Sequence, residues 1–195
     1  KATAIIHNSL GKDVFGSPYS PIYSTTTYRY PNTEILLDVI EGRKQGYLYT
    51  RWGTNPSIIE LEQGLAKLEE AEAALAFSSG MAAISASMFA HGRKGIVCVG
   101  DLYGGTQEFL NNNCQALGVA VTFFRPSELA TLDVFLNRPG MLVYCETPAN
   151  PTLAILDIAD LAQRAHDKNA LLAVDNTFAS PINQRPLEHG ADLVL

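Results

Sequence analysis

Polar and aromatic residues suited to holding one flat, anionic cofactor recur along this chain in short clusters separated by apolar runs. They are Tyr49-Thr50-Arg51, Ser78-Ser79-Gly80-Met81, Leu102-Tyr103-Gly104-Gly105, Glu146-Thr147-Pro148-Ala149-Asn150-Pro151, Val174-Asp175-Asn176-Thr177 and Gly190-Ala191-Asp192-Leu193-Val194-Leu195. An arginine fork can grip phosphate oxygens in a bidentate manner. A serine and a close-approach glycine at a helix N-terminus can serve as an anion site. Each cluster alone also has an ordinary reading. Ser79 can be a plain helix N-cap, Tyr103 a loop aromatic, Asp175 the cap of a following turn, and Asn150 a loop former between Pro148 and Pro151. The joint pattern is what points to a site.

Competing chemistries lack their signatures. There is no G-x-x-x-x-G-K-[ST] sequence and no G-x-G-x-x-G after a strand, and Gly100-Asp101-Leu102-Tyr103-Gly104-Gly105 has the wrong spacing for either. Ser78-Ser79-Gly80 does not match the G-x-S-x-G of a hydrolase nucleophile. Cys98, Cys114 and Cys145 have no C-x-x-C spacing, and two of them sit in strand-like runs, so they read as buried reduced thiols. His7, His91, His166 and His189 share no ligand spacing, which leaves no candidate metal site.

The elements that must position these clusters follow from periodicity. Residues 1 to about 30 carry turn formers and β-rich residues without helical spacing, which predicts an extended arm lying on another surface. Helices are predicted from Asn32 or Thr33 through Ile40 and from Asn55-Pro56 through Leu68, with Tyr49 and Arg51 in the loop between them. Strands are then expected near Ala74 to Phe77, Ile96 to Val99, Val119 to Phe123, Met141 to Cys145, Leu171 to Val174 and Asp192 to Leu195. Helices are expected from Ser79, from Gly104, near Ser127 to Leu136 and over Asp157 to Lys168. Apolar strands alternating with amphipathic helices predict an α/β fold with a mostly parallel sheet and helices on both faces. Ligands of such sheets collect beyond the carboxyl ends of the strands. Ser79-Gly80, Tyr103, Asn150 and Asp175 should therefore converge on one edge.

The composition narrows the partners. A chain of 195 residues with 47% hydrophobic content supports one sizeable core plus an arm. The net charge of −6 is spread along the chain, which gives no footprint for nucleic acid. Its apolar runs are too short for a membrane span, so a cytoplasmic protein is expected.

In their order and residue types, these motifs resemble the Cys/Met-metabolism (transsulfuration) family of pyridoxal-phosphate-dependent enzymes over nearly the whole chain. The resemblance implies fold type I, with residues 1–50 as N-terminal arm and subunit-interface segment and 51–195 as a cofactor-binding large domain incomplete at its C-terminal end. It implies pyridoxal 5'-phosphate as cofactor, a small amino-acid substrate, and a homodimer with shared sites, itself paired into a tetramer. Gly80 and Met81 would offer N–H groups to the phosphate with Ser79 nearby, while Tyr49 and Arg51 would reach the phosphate of the neighbouring subunit. Tyr103 would stack on the pyridine ring and assist proton movements, Asn150 would hydrogen-bond the phenolic oxygen, and Asp175 would keep the ring nitrogen protonated.

Departures from the family pattern bear on the reaction. Gly105 stands where methionine γ-lyases usually carry cysteine, and Glu108 where cystathionine γ-synthases and γ-lyases often carry arginine. Trp52 after Arg51 is a further departure, read as packing, with lining of the site entrance as the alternative. The expected activity is γ-elimination on methionine-like or homoserine-derived amino acids. The alternatives are γ-replacement of the sulfhydrylase or synthase type, or a non-catalytic cofactor-binding or assembly fragment. In the family the Schiff-base lysine follows the segment ending here, and Lys1, Lys12, Lys44, Lys67, Lys94 and Lys168 are poor substitutes by position. The sequence is accordingly expected to be part of a longer enzyme.

Overall fold

The computed structural model describes residues 15–17 and 19–195. Lys1, His7, Lys12 and the first part of the expected arm lie outside the described residues. The chain divides into two compact units with the break between Ala76 and Phe77.

The first unit is built on two capped helices. Asn32 accepts the Ile35 N–H and starts α1 (Thr33–Ile40), and Asn55 accepts the Ser57 N–H ahead of Pro56 to start α2 (Pro56–Glu69). Each cap satisfies one of the amide donors that a helix start leaves without an intrahelical acceptor. The described part of the arm is extended and packs within this unit. Ser20 Oγ donates to Glu60 Oε1, the Tyr23 N–H donates to Ser57 Oγ, and Asn55 Nδ2 donates to the Tyr23 carbonyl. Thr27 pairs with Tyr49 in one antiparallel bridge.

The second unit begins with α3 (Gly80–His91) and continues as β1 (Ile96–Val99), α4 (Gly104–Phe109), β2 (Val121–Phe124), α5 (Leu132–Phe135) and β3 (Leu142–Glu146). It ends with α6 (Ile158–Asp167), β4 (Leu171–Asp175), α7 (Ser180–Asn183) and β5 (Leu193–Val194). The strands form one parallel sheet in the order β2-β1-β3-β4-β5. The chain leaves β1 for β2 on one side, then crosses back to β3 and adds strands on the other side, so the strand order reverses between β1 and β3.

Alternation along the strands feeds two cores. Val97, Val99, Val143, Cys145, Leu172 and Val174 pack with Leu132 and Leu136 and with Leu161 and Ala165 of α6. Ile96, Cys98, Leu142, Tyr144 and Ala173 pack on the opposite face with Ile84 and Met88 of α3 and with Leu110 and Cys114, which lie in a π-helical turn continuing α4. Every residue of β1 and β3 is buried. This explains their unbroken apolar runs, since helices cover both faces. In α6, Ile158, Leu161, Ala162 and Ala165 form the buried stripe, and Asp157 caps the helix through the Asp160 N–H.

Three expectations need correction. No strand forms at Ala74 to Phe77; Leu75 and Phe77 are exposed, and the Ala76 N–H donates to the Glu62 side chain rather than to a strand carbonyl. The helix expected near Ser127 to Leu136 is a 3-10 turn over Pro126–Thr131 followed by only one α-turn, α5. The strand expected at Val119 starts two residues later, because Val119 closes the preceding turn by donating its N–H to the Cys114 carbonyl.

Cys98, Cys114 and Cys145 are free and buried. Burial, with a smaller contribution from Asp175, pushes the Cys145 thiol up to about 12, and burial likewise raises Cys98 and Cys114. Thiolates are the reactive form, so peptides carrying these cysteines are expected to resist alkylation at pH 8 in native protein and to react fully in denaturant, as read by peptide mass spectrometry. Leu142→Ala removes a fully buried side chain from β3 and is expected to cost about 2–5 kcal/mol, read as a lowered denaturation midpoint.

Candidate functional site

The parallel register brings the ends of β1, β3 and β4 level, with Val99 opposite Cys145, Cys145 opposite Val174, and Glu146 opposite Asp175. Gly100 turns the chain out of β1 at φ +82, a conformation that an L side chain would strain. Tyr103 follows as the residue that opens α4. β3 runs into Glu146 and then the loop Thr147-Pro148-Ala149-Asn150-Pro151, in which both X–Pro bonds are cis.

Glu146 is buried, and it holds both loops. Its Oε2 accepts the Tyr103 N–H at 2.6 Å and its Oε1 accepts the Asn150 N–H at 2.7 Å. Burial raises the pKa of this carboxyl above the usual glutamate range, and the two N–H groups partly offset that rise by favouring the charged form.

Asp175 is buried at the end of β4. Its Oδ1 accepts the Thr177 N–H at 3.1 Å and the Thr177 hydroxyl at 2.6 Å, and its Oδ2 accepts the Tyr144 hydroxyl at 3.2 Å. Burial, reinforced by the charge of Asp175, pushes the Tyr144 phenol far above its ordinary range, so it serves as a neutral donor. Gln184 clamps the adjoining loops by donating to the Thr147 carbonyl and to Asn176 Oδ1.

Ser79 caps α3 by accepting the Ala82 N–H at 3.1 Å. The Gly80 and Met81 N–H groups have no acceptor among the described residues, and a Cβ built on Gly80 would meet nothing within 4 Å. That helix start is therefore open to an anion. It is tied to the other loops by the Thr106 hydroxyl, which lies 3.6 Å from Met81 Sδ. Tyr103 is half exposed and its ring folds over Gly105, where a Cβ would lie only 2.7 Å from the ring.

Ser79, Gly80, Met81, Tyr103, Asn150 and Asp175 thus belong to the second unit, and its sheet edge gathers the last three. Tyr49 and Arg51 belong to the first unit. There the Arg51 guanidinium lies 4.3 Å above the Tyr49 ring, and the Trp52 ring meets Tyr49 edge-on. Trp52 is 71% exposed, so the expectation that it packs is met only by that one contact. Ser79 was expected to follow a strand and instead follows the irregular segment at 74–77. Glu146, Tyr144, Thr106 and Thr177 were assigned no role from sequence. A signal for Glu146 exists: two apolar runs, Leu142-Val143-Tyr144-Cys145 and Leu171-Leu172-Ala173-Val174, each end in a carboxylate.

Free amides at a helix start, an exposed aromatic ring, and a buried carboxylate supported by hydroxyl and amide donors make a donor set that fits a phosphorylated pyridine. An α/β protein with such a site at the carboxyl edge, beside the reversal in strand order, is a cofactor-binding protein of the doubly wound class. The chain belongs to the family described as Cys/Met metabolism PLP-dependent enzymes, whose model matches residues 2–195.

Its relatives agree. It is 40% identical over 196 residues to L-methionine gamma-lyase of Fusobacterium nucleatum subsp. nucleatum, covering 99% of this chain and 49% of that protein. The crystal structure of metB from Corynebacterium glutamicum superposes with a TM-score of 0.86 at 38% identity, covering 99% of this chain and 49% of that one. Cystathionine gamma-lyase from Lactobacillus plantarum, solved in complex with L-serine, gives a TM-score of 0.84 at 35% identity over 98% of this chain and 48% of that one. The chain spans about half the length of the curated relatives it matches first.

Tyr144→Phe deletes the hydroxyl that supports Asp175 Oδ2 and keeps the ring in its core position. It is expected to cost about 1–3 kcal/mol, measured by denaturant unfolding of the full-length protein.

Proposed function

We propose that the full-length protein is a pyridoxal-phosphate-dependent carbon–sulfur lyase of sulfur amino-acid metabolism. It would catalyse γ-elimination on methionine-like or homoserine-derived amino acids. The observation that carries the reading is the arrival of Tyr103, Asn150 and Asp175 on one carboxyl edge of the sheet, at the ends of β1, β3 and β4. L-methionine gamma-lyase among the relatives supports the choice of reaction.

When bound, pyridoxal phosphate supplies an electron sink for the pair released as a substrate Cα loses its proton. Asp175 would hold the ring nitrogen protonated, and its hydrogen bonds from Tyr144 and Thr177 keep the carboxylate aimed from a buried position. Gly80 and Met81 would donate their free N–H groups to the phosphate, strengthened by the partial positive charge of the helix start. Tyr103 would stack on the ring from its position over Gly105 and assist proton transfer near the substrate. Asn150 would donate to the phenolic oxygen. Tyr49 and Arg51 would bind the phosphate of a neighbouring subunit, which makes a homodimer the minimal active form, with pairs of dimers forming a tetramer.

The test is incubation of the purified full-length protein with pyridoxal phosphate and L-methionine, with 2-oxo acid and thiol release followed. Release without an added thiol acceptor supports the lyase; product formation from an O-acylated homoserine only when sulfide or a thiol is supplied would replace it with γ-replacement. Asp175→Ala is expected to lose most cofactor affinity and nearly all turnover, and near-normal rates would refute its role. Arg51→Ala is expected to weaken cofactor binding about tenfold or more, measured by equilibrium titration, from loss of a charge-assisted phosphate contact.

A further inference from the structure

We propose that Glu146 is a positioning residue of this site, its carboxylate setting the spacing between Tyr103 and Asn150 by binding both backbone amides at once. The inference rests on the reading of this edge as a pyridoxal-phosphate site. β1 and β3 are neighbours at the point where strand order reverses, and the loops leaving them run to helices on opposite faces of the sheet. Loops that diverge this way leave a crevice, and no strand hydrogen bond spans it beyond the last paired residues, Val99 and Cys145. Glu146 supplies the missing link from the first residue after that pair, with one oxygen to each loop at 2.6 and 2.7 Å.

Filling space does not account for this residue. Glu146 makes no ion pair among the described residues, and it lies in register with a second buried carboxylate, Asp175. Burying an acid beside another acid with no cation is unfavourable unless hydrogen bonds compensate it. The compensation here comes from the amides of the two loops that carry Tyr103 and Asn150. Glutamine has the same shape but one acceptor oxygen, so it would set an NH2 group against one of the two N–H donors. Aspartate keeps the charge but is one methylene shorter, and it cannot span both amides from the same backbone position.

The test uses full-length protein as wild type, E146Q, E146D, G105A, Y103A and the double variant E146Q/Y103A. Three properties are measured: the dissociation constant for pyridoxal phosphate, the visible circular dichroism of the bound cofactor, and the melting temperature of the apoprotein. G105A displaces the Tyr103 ring without touching Glu146, and so gives the dichroism signature of a misplaced ring. E146Q and E146D are expected to bind about tenfold more weakly, to shift the dichroism in the direction of G105A, and to lower the apoprotein melting temperature by only a few degrees. In the Y103A background, E146Q is expected to weaken binding by much less than in the wild type, because contacting residues act non-additively. A full, additive loss in the double variant would overturn the proposal. So would unchanged binding and dichroism with a lowered apoprotein melting temperature, or failure of both Glu146 variants to fold, since either assigns Glu146 to stability alone. Wild-type protein that takes up no pyridoxal phosphate would overturn the parent reading, whereas normal uptake by wild type and by both Glu146 variants overturns this inference only.

Discussion

The central strand β3 has no wet face. It is paired on both edges, with β1 and β4, and covered on both sides by helices, so every side chain from Leu142 to Cys145 is committed to packing. Full burial of each aliphatic side chain among them contributes roughly 1.5–3 kcal/mol, and the one hydroxyl in the run, that of Tyr144, is tolerated because it is paired with Asp175. Chemistry is therefore displaced to where the strands end. The levelled register of three strands decides that their endings coincide, and the loops that follow inherit a common edge.

Much of this was legible in the chain because the same constraint writes the sequence. A strand buried on both faces must be apolar throughout, and a helix that covers it must carry a stripe, as Ile158, Leu161, Ala162 and Ala165 do. Capping residues marked four helix starts, at Asn32, Asn55, Ser79 and Asp157, because each side chain is needed by an amide two or three residues on. Where the local signal was ambiguous, tertiary context decided. Ala74 to Phe77 is apolar enough for a strand, yet a strand exists only with a partner, and the Glu62 carboxylate takes the Ala76 amide instead.

The candidate site was legible in part for a related reason. Tyr103, Asn150 and Asp175 stand out as polar or aromatic residues just past apolar runs, a purely local property. The role of Glu146 is not local: its bond to the Tyr103 amide joins residues 43 positions apart and depends on how β1 and β3 are registered. Ser79 and Asp175 also show that a bland and a functional reading need not compete. Ser79 does cap its helix, and Asp175 does cap the turn at Thr177, and both acts orient the groups around them.

Among the described residues, the same sheet has an unpaired margin at β2, the strand at one end of the order. It has only four residues, and Arg125 and Pro126 follow directly, so any chain docking along it would find few free amides, then a charge, then a residue with no N–H at all. Short length, charge and proline are the features that discourage a foreign strand from adding to a sheet. That margin is thereby poorly suited to seeding aggregation, even though Phe123 leaves an aromatic ring partly open to solvent.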